Sequence, residues 1–520
     1  MKLDLTLSNV DPGNPTFQVM LNDLQANIIK GHGRKYAYHI FLKLKPDKVA
    51  DAKSWIARFS KEHITSAFKL EQHRQAWKTS GIDGGPVFTL SISATGYAML
   101  GFEEEQLPVE METTANSIVR DPAAFNKGAK ANAIKLGDGD ITNWEEPFRH
   151  DIDLLITVAD SAPGKALQLS QNIISEVAAF SHLLVNQKGQ LLHRKAPAAG
   201  TGEGIIAIEH FGYADGVSQP LYFKDDIVAQ ASINAWNDKE PLNLVIVPDP
   251  NGKTEDSFGS FLVFRKLEQD VAAFMKAEET KLPVIKDAEG KINQDLPGAM
   301  IVGRFRNGNP VVISNGKTGH ITSSNISNDF DNSTDPKVIS DVAAYSSKCP
   351  YFSHIRLTNP RMDITVVPPA FAHSVRLTRR GIPYDDINRF GPGQEDLVDP
   401  SEDQLNTCRP SSGVGLLFMS YHAHIGKQFE FIQNNWANHG HIAGHNVGPD
   451  SVIGQVSPVP PGLPFRPATP DLLPKKLPVQ WGQDVSPSSP GITFNGFVKM
   501  KGGEYFFTPS ISFLQSLSEK

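Results

Sequence analysis

Runs of strand length alternate with amphipathic, helix-length stretches in the first two hundred residues, and the alternation starts again after residue 240. Tyr36–Leu44, Val87–Ile92 and Asp153–Val158 carry the apolar, β-branched and aromatic residues of strands. Ala50–Phe59 reads as a helix, and so does Lys165–Leu184, where Leu167, Leu169, Ile173, Ile174, Val177 and Phe180 fall near a 3.6-residue spacing. Leu183–Asn186 and Gln190–His193 are expected to pair across a turn at Lys188-Gly189. The second series runs through strands Leu242–Val247 and Ser260–Phe264, helix Gln269–Ala277, strand Gly415–His422, helix Gln428–Asn438, and strands Thr493–Lys499 and Tyr505–Phe507. The connections are too varied for a regular parallel array. The expected class is therefore α+β, an antiparallel sheet with helices on one face.

A chain of 520 residues is long for one core, and two domains or two fused halves are expected. Before the first strand, Leu24–Arg34 reads as a short helix stopped at Gly31. The middle, about 280–410, is rich in Gly, Pro, Asn and Asp. Loops of that length in a compact domain are usually functional, and here they are expected to wall a pocket. A formal net charge of −7 offers no field for nucleic acid or an anionic membrane. The two cysteines, Cys349 and Cys408, make neither a disulfide framework nor a CxxC pair. Met1–Ser8 turns polar too soon for a secretory signal, and no run approaches the ~20 apolar residues of a membrane helix. The chain reads as cytoplasmic, with an extracellular location after signal removal or by a non-classical route as the alternative.

Several motifs have a chemical and a plain reading. Gly252-Lys253-Thr254 and Gly316-Lys317-Thr318 end like phosphate-binding loops, but Val247 and Val311 stand where the upstream glycine is required, so both read as turns. His422, His424, His439, His441 and His445 read as a hydrated surface, with a divalent-metal site as the alternative. In Gly212-Tyr213-Ala214-Asp215-Gly216 the glycines either hold one carboxylate in a defined loop or simply make a turn that Asp215 caps. His354-Ile355-Arg356 runs to Asn359-Pro360-Arg361; His354 is a candidate axial ligand for haem iron or an ordinary core histidine. Arg376, Arg379 and Arg380 follow, in a segment that closes with Gly381-Ile382-Pro383-Tyr384.

Together and in this order, these segments resemble the dye-decolorising peroxidase family. Gly212–Gly216 matches its GxxDG signature, His354–Arg361 its proximal-ligand signature, and Arg379–Tyr384 its distal-arginine signature. Supporting matches run from Asn27–Arg34 through Gly259–Leu267, Gly303–Gly308 and Gly415–Met419 to Lys501–Phe507, nearly the whole chain. Its length is similar to that of the long-loop branch.

The resemblance implies two ferredoxin-like halves, here 1–205 and 206–520, with one haem b in the second. It implies a peroxidase that reduces hydrogen peroxide and oxidises dyes, phenolics or related aromatic donors by one-electron steps; a haem carrier or sensor is the alternative. His354 would bind iron with Asp450 accepting from its other ring nitrogen. Asp215 would move the peroxide proton and Arg379 would stabilise charge as the O–O bond breaks. Because an aspartate is intrinsically acidic, such a site is expected to work at acidic pH. Arg356 and Arg304 are candidate partners of haem propionates, and Leu416 and Phe418 candidate apolar walls. Tyr384 and Trp436 are candidate surface residues for passing electrons from bulky donors. No nucleic-acid or membrane partner is expected, and the oligomeric state is monomer or dimer.

Overall fold

Strands β1 (Tyr36–Leu44), β2 (Val87–Ser93), β3 (Leu154–Asp160) and β4 (Ser181–Gln190) alternate with helices α1 (Val49–Glu62) and α2 (Pro163–Val177). The computed structural model describes residues 3–519 except 111–123, 198–202, 231–237, 318–327, 333–346, 362–366, 443–444, 456–472 and 487. The first four strands lie in the order β2-β3-β1-β4, all antiparallel. The same strand–helix–strand–strand–helix–strand series then recurs. Its members are β5 (Phe258–Gln269), α3 (Val271–Lys281), the short pieces β6 (Thr378–Arg379) and β7 (Ile382–Asp385), β8 (Val414–His422), a helical stretch over 426–438, and β9 (Val498–Thr508). Here β8 lies between β6/β7 and β5, and β5 beside β9. Each series is a ferredoxin-like unit. β9 pairs with β2 through Phe506–Ser93 and Phe507–Ile92, which joins both units into one ten-stranded sheet.

Alternation of side chains splits each strand between two cores. Ile40, Leu42, Leu90, Ile156 and Val158 pack with Trp55, Ile56 and Phe59 of α1 and Ile173 and Val177 of α2. Phe41, Leu155, Phe264 and Phe506 point the other way, into a core shared with Leu296, Tyr351, Leu357 and Trp436 from the loop-rich middle. β2 and β3 are accordingly buried along their whole length. The sheet curls until its two ends meet. A Cβ on Gly189 in β4 would stand 2.5 Å from Ile382 Cγ2 in β7 and 3.3 Å from Leu417 Cδ1 in β8.

That close approach explains one failed expectation. Lys188-Gly189 is not a hairpin turn; both residues sit within β4, opposite Tyr38 and Ala37. The glycine is there because the facing strand leaves no room for a side chain. The helix expected through Leu184 stops at Val177, since Ser181 onward joins β4. Leu242–Val247 is a single tight turn at Leu242–Leu244 followed by a two-residue strand. The first helix is Pro15–Asp23, and residues 24–34 are an irregular loop with Asn27 and Gly33 at φ 71° and 65°. Residues 493–497 precede the strand rather than belonging to it.

Gly189→Val is expected to destabilise the fold by about 1–3 kcal/mol through overpacking, read as a lower denaturant midpoint. Gly164→Ala, in α2 with no atom within 4 Å of the added Cβ, is expected to be neutral or slightly stabilising. Equal midpoints for the two variants would contradict the closure of the sheet on itself.

Candidate active site

Helix α4 (His354–Thr358) begins with His354 itself. Its Nδ1 lies 3.0 and 3.1 Å from the two carboxylate oxygens of Asp450. Asp450 is fully buried, and its Oδ1 also accepts from the N–H groups of Val452 and Ile453, each at 2.8 Å. Burial alone would lower the His354 pKa, but the charge and hydrogen bond of Asp450 outweigh it and the net shift is upward. Burial alone would raise Asp450; His354 and the two N–H groups outweigh it and hold the carboxyl below its usual range. A carboxylate at Nδ1 can only accept, so the neutral imidazole carries its proton on Nδ1 and its lone pair on Nε2.

His354 forms part of the wall of a cavity that Asp215, Arg379, Leu416 and Phe418 also line. About 240 Å³ is open there to the centres of water molecules, many times the ~10–15 Å³ that one water needs. Gly216, at φ 70°, turns the loop so that Asp215 Oδ1 accepts from the Gly216 N–H at 2.7 Å. The same oxygen accepts from Arg379 Nη1 at 3.2 Å, and Arg379 Nη2 donates to the Ser218 carbonyl at 3.0 Å. Both side chains keep about a third of their surface open, 29% for Asp215 and 34% for Arg379. Across the β8–β5 ladder Leu416 faces Leu267 and Phe418 faces Arg265, and all four line the cavity. Next to α4, residues 426–430 and 432–438 are wound as π-helical turns, a geometry common where a helix is shaped around a site.

Arg304 also lines the cavity, together with Arg361, the last residue of the His354–Arg361 signature and one with no expected role. Both are buried, and each guanidinium lies over the Phe330 ring. Burial, then the charge of Arg379, push the Arg304 pKa down to about 9, against a small opposing effect of Cys349. Arg361 is pushed well down by burial and by Arg304 and Arg376. Two like charges held this way suit an anionic ligand. Arg361 has φ 58°, rare for a side chain of its size, and that backbone turn after Pro360 is what swings it inward.

Arg356 is a correction. It does not line the cavity; its guanidinium lies 3.9 Å from the Tyr351 ring centre and donates to the Cys349 carbonyl. Two positions along a helix are about 200° apart, so Arg356 faces away from His354's side. Tyr384 and Trp436 are not surface residues either: both are buried. Trp436 forms part of the cavity wall, packed on Phe371 and Phe431. Tyr384 lies outside it under Lys266, with its hydroxyl buried and without a hydrogen-bond partner. Two of the five clustered histidines depart from a hydrated surface, while the side chains of His441 and His445 lie outside the described ones. His422 and His424 are buried, and His424 Nδ1 pairs with Glu110. Among the described residues no group of three or more His, Cys, Asp or Glu could hold a metal ion. No helix among them is long and apolar enough to cross a membrane.

The chain is 34% identical over 508 residues, 96% of either chain, to the multifunctional dye peroxidase DyP2 of Amycolatopsis sp.. The chain belongs to the dye-decolorising peroxidase family. It is also 28% identical to Peroxidase 2 of Mycetinis scorodonius, over 95% of this chain and 87% of that one. A DyP-type peroxidase crystal structure from Anabaena sp. superposes with a TM-score of 0.77 at 34% identity, covering 99% of both chains. No family model matches the chain.

As a member of the family, the protein is a haem peroxidase. Its cavity fits that group on three grounds. His354 Nε2 makes no hydrogen bond to a described residue and carries the lone pair an iron needs. The wall is apolar at Val302, Ile355, Leu416 and Phe418, as a porphyrin face requires. Arg304 and Arg361 supply buried positive charge for carboxylates.

His422 has neither ring nitrogen hydrogen-bonded, and burial lowers its pKa to about 3, with His424 adding to the shift. The folded pKa lies below the unfolded value of 6.5, so between those limits the unfolded chain binds the extra proton and stability falls as pH drops. His422→Leu should therefore gain about 2 kcal/mol on the wild type between pH 8 and pH 5, measured by denaturant unfolding. Parallel losses in both proteins would show that His422 is not a buried neutral imidazole.

Proposed function

We propose that the protein binds one haem b per chain in the half spanning 206–520, and reduces hydrogen peroxide while oxidising dyes, phenolics or related aromatic donors one electron at a time. The observation that carries this is an imidazole in the cavity wall whose neutral form leaves Nε2 without a proton, backed by a buried carboxylate, with the Asp215–Arg379 pair in the wall of the same cavity. The haem supplies an iron centre that takes two electrons' worth of oxidation from peroxide and returns it to donors in single-electron steps.

His354 Nε2 would hold that iron, and Asp450 would keep the ring in its Nδ1–H tautomer and make it electron-rich. Asp215 works through Oδ2. Its Oδ1 is already engaged by Gly216 and Arg379, whereas Oδ2 has no bond to a described residue. Oδ2 takes the proton from hydrogen peroxide and returns it to the departing oxygen, which leaves as water. Arg379 holds the carboxylate in place through Nη1 and offers its charge to the oxygen that becomes negative as the O–O bond lengthens. Arg304 and Arg361, which line the cavity, would anchor the two propionates. Trp436, in the wall, is the better relay for donors too bulky to enter; Tyr384 has no acceptor for its phenolic proton.

Asp215→Asn is expected to lower kcat/KM for peroxide by about 10²–10⁴-fold, and Arg379→Leu by about 10²–10³-fold, with the haem Soret band retained in both. Near wild-type peroxide kinetics in Asp215→Asn would overturn the proton-transfer role. In the same assay Trp436→Phe should slow an anthraquinone dye and leave the peroxide step unchanged; undiminished dye turnover would remove the relay.

A further inference from the structure

Arg379 also borders a second cavity, of about 260 Å³, that His354 does not line. The two cavities share Arg379 and Pro220 as a common wall. The second is formed by the irregular loop 27–34, by 219–222, and by the segment from Arg379 to Ile382. Four cationic side chains line it, Lys30, Arg34, Arg379 and Arg380, against one carboxylate, Asp226. That carboxylate is already shared between Lys30 at 2.7 Å and Arg74 at 3.1 Å. Arg379 is turned toward Asp215 on the other side of the wall.

Arg380 is the decisive member. Its guanidinium donates to the backbone carbonyls of Asn27, Ile28 and Arg379 at 2.7, 2.8 and 2.6 Å. Among the described residues no carboxylate pairs with it. Three carbonyls satisfy its N–H groups but do not neutralise its charge, and a desolvated cation without a counter-ion is costly. Burial pushes its pKa down to about 10, with Arg379 adding repulsion against the opposing effects of Tyr222 and Tyr421. Arg34, whose Nε lies 3.8 Å from an Asp83 carboxylate oxygen and donates to the Gly85 carbonyl, keeps one unmet donor: its Nη2 is buried without a hydrogen-bond partner. His32, also in the wall, is held neutral at ordinary pH, its pKa lowered to about 4 by burial and by Arg34 and Arg380.

We propose that this second cavity is a binding site for an organic anion, a carboxylate or sulfonate on an aromatic ring, with its acidic group among Lys30, Arg34 and Arg380. The space is sufficient, since a cavity of ~150 Å³ already holds a benzene ring. Leu191, Pro220, Leu221 and Ile382 give the ring apolar contact. A ligand here stands one side chain from the haem cavity, so aromatic donors that carry an acidic group are the substrates the site selects. The binding claim is independent of the haem reading; the donor claim rests on it.

The test is calorimetric titration of haem-loaded protein, first saturated with cyanide at the iron, with benzenesulfonate and with neutral benzenesulfonamide. Benzenesulfonate is expected to bind without moving the Soret band, and the sulfonamide not to bind. Lys30→Gln should weaken the sulfonate by about tenfold or more, and Lys30→Arg should restore it, with unchanged unfolding midpoints. Lys30→Gln should also raise KM for a sulfonated donor and leave KM for an uncharged phenol and kcat unchanged. No sulfonate binding, equal binding of the neutral probe, or competition with cyanide would overturn the site. Unaltered KM for the sulfonated donor, with binding still weakened by Lys30→Gln, would overturn its role in donor selection alone.

Discussion

A carboxylate with no solvent exposure has to have its charge answered inside the protein, and Asp450 is answered by one imidazole and two backbone N–H groups. That contact sets the proton on His354 Nδ1 and leaves Nε2 for the cavity. It also explains the surrounding architecture. The loop that carries Asp450 is fastened by its own N–H to the Ala437 carbonyl at 2.7 Å, and by Lys475, which donates to the Val447 and Pro449 carbonyls. The π-helical turns at 426–438 and the short α4 then pack as one wall. Loss of that contact would leave a buried charge without its partner, so the wall and the position of His354 stand or fall together.

The rest of the cavity wall is governed by excess positive charge. Arg376 is answered within the protein by Glu240, which also holds His373 Nδ1 at 2.8 Å. Arg379 is answered by Asp215. Arg304 and Arg361 repel one another, and Arg380 has only carbonyl partners and repels Arg379. A chain with an overall formal charge of −7 thus concentrates guanidinium groups around two adjoining cavities. Such a distribution suits anionic ligands and, as proposed, these are propionates in one cavity and an acidic organic molecule in the other.

The fold class and the long central strands were legible because apolar runs of the right length stand between turn residues, as in Tyr36–Leu44 and Gly415–His422. The signatures around Asp215, His354 and Arg379 were legible as well, because each places one chemical group beside glycine or proline at short range. What escaped was set by distant chain. Gly189 reads locally as a turn, and only Ile382 across the closed sheet explains it. Arg356 stands beside the ligand in sequence and away from it on the helix. His422 and His424 look hydrophilic in sequence yet are sealed under the sheet. Arg361's approach to the cavity follows from one left-handed backbone angle that spacing does not encode.

The central claim is that the His354 imidazole is what holds the iron. Resonance Raman spectroscopy of the reduced, haem-loaded protein tests it most directly, through the iron–imidazole stretching band and its shift on ¹⁵N-histidine labelling. The account predicts that the band is present in the wild type, absent in His354→Gly, and restored when free imidazole is added to that variant. An unchanged band in His354→Gly would contradict it, because another residue would then be the ligand.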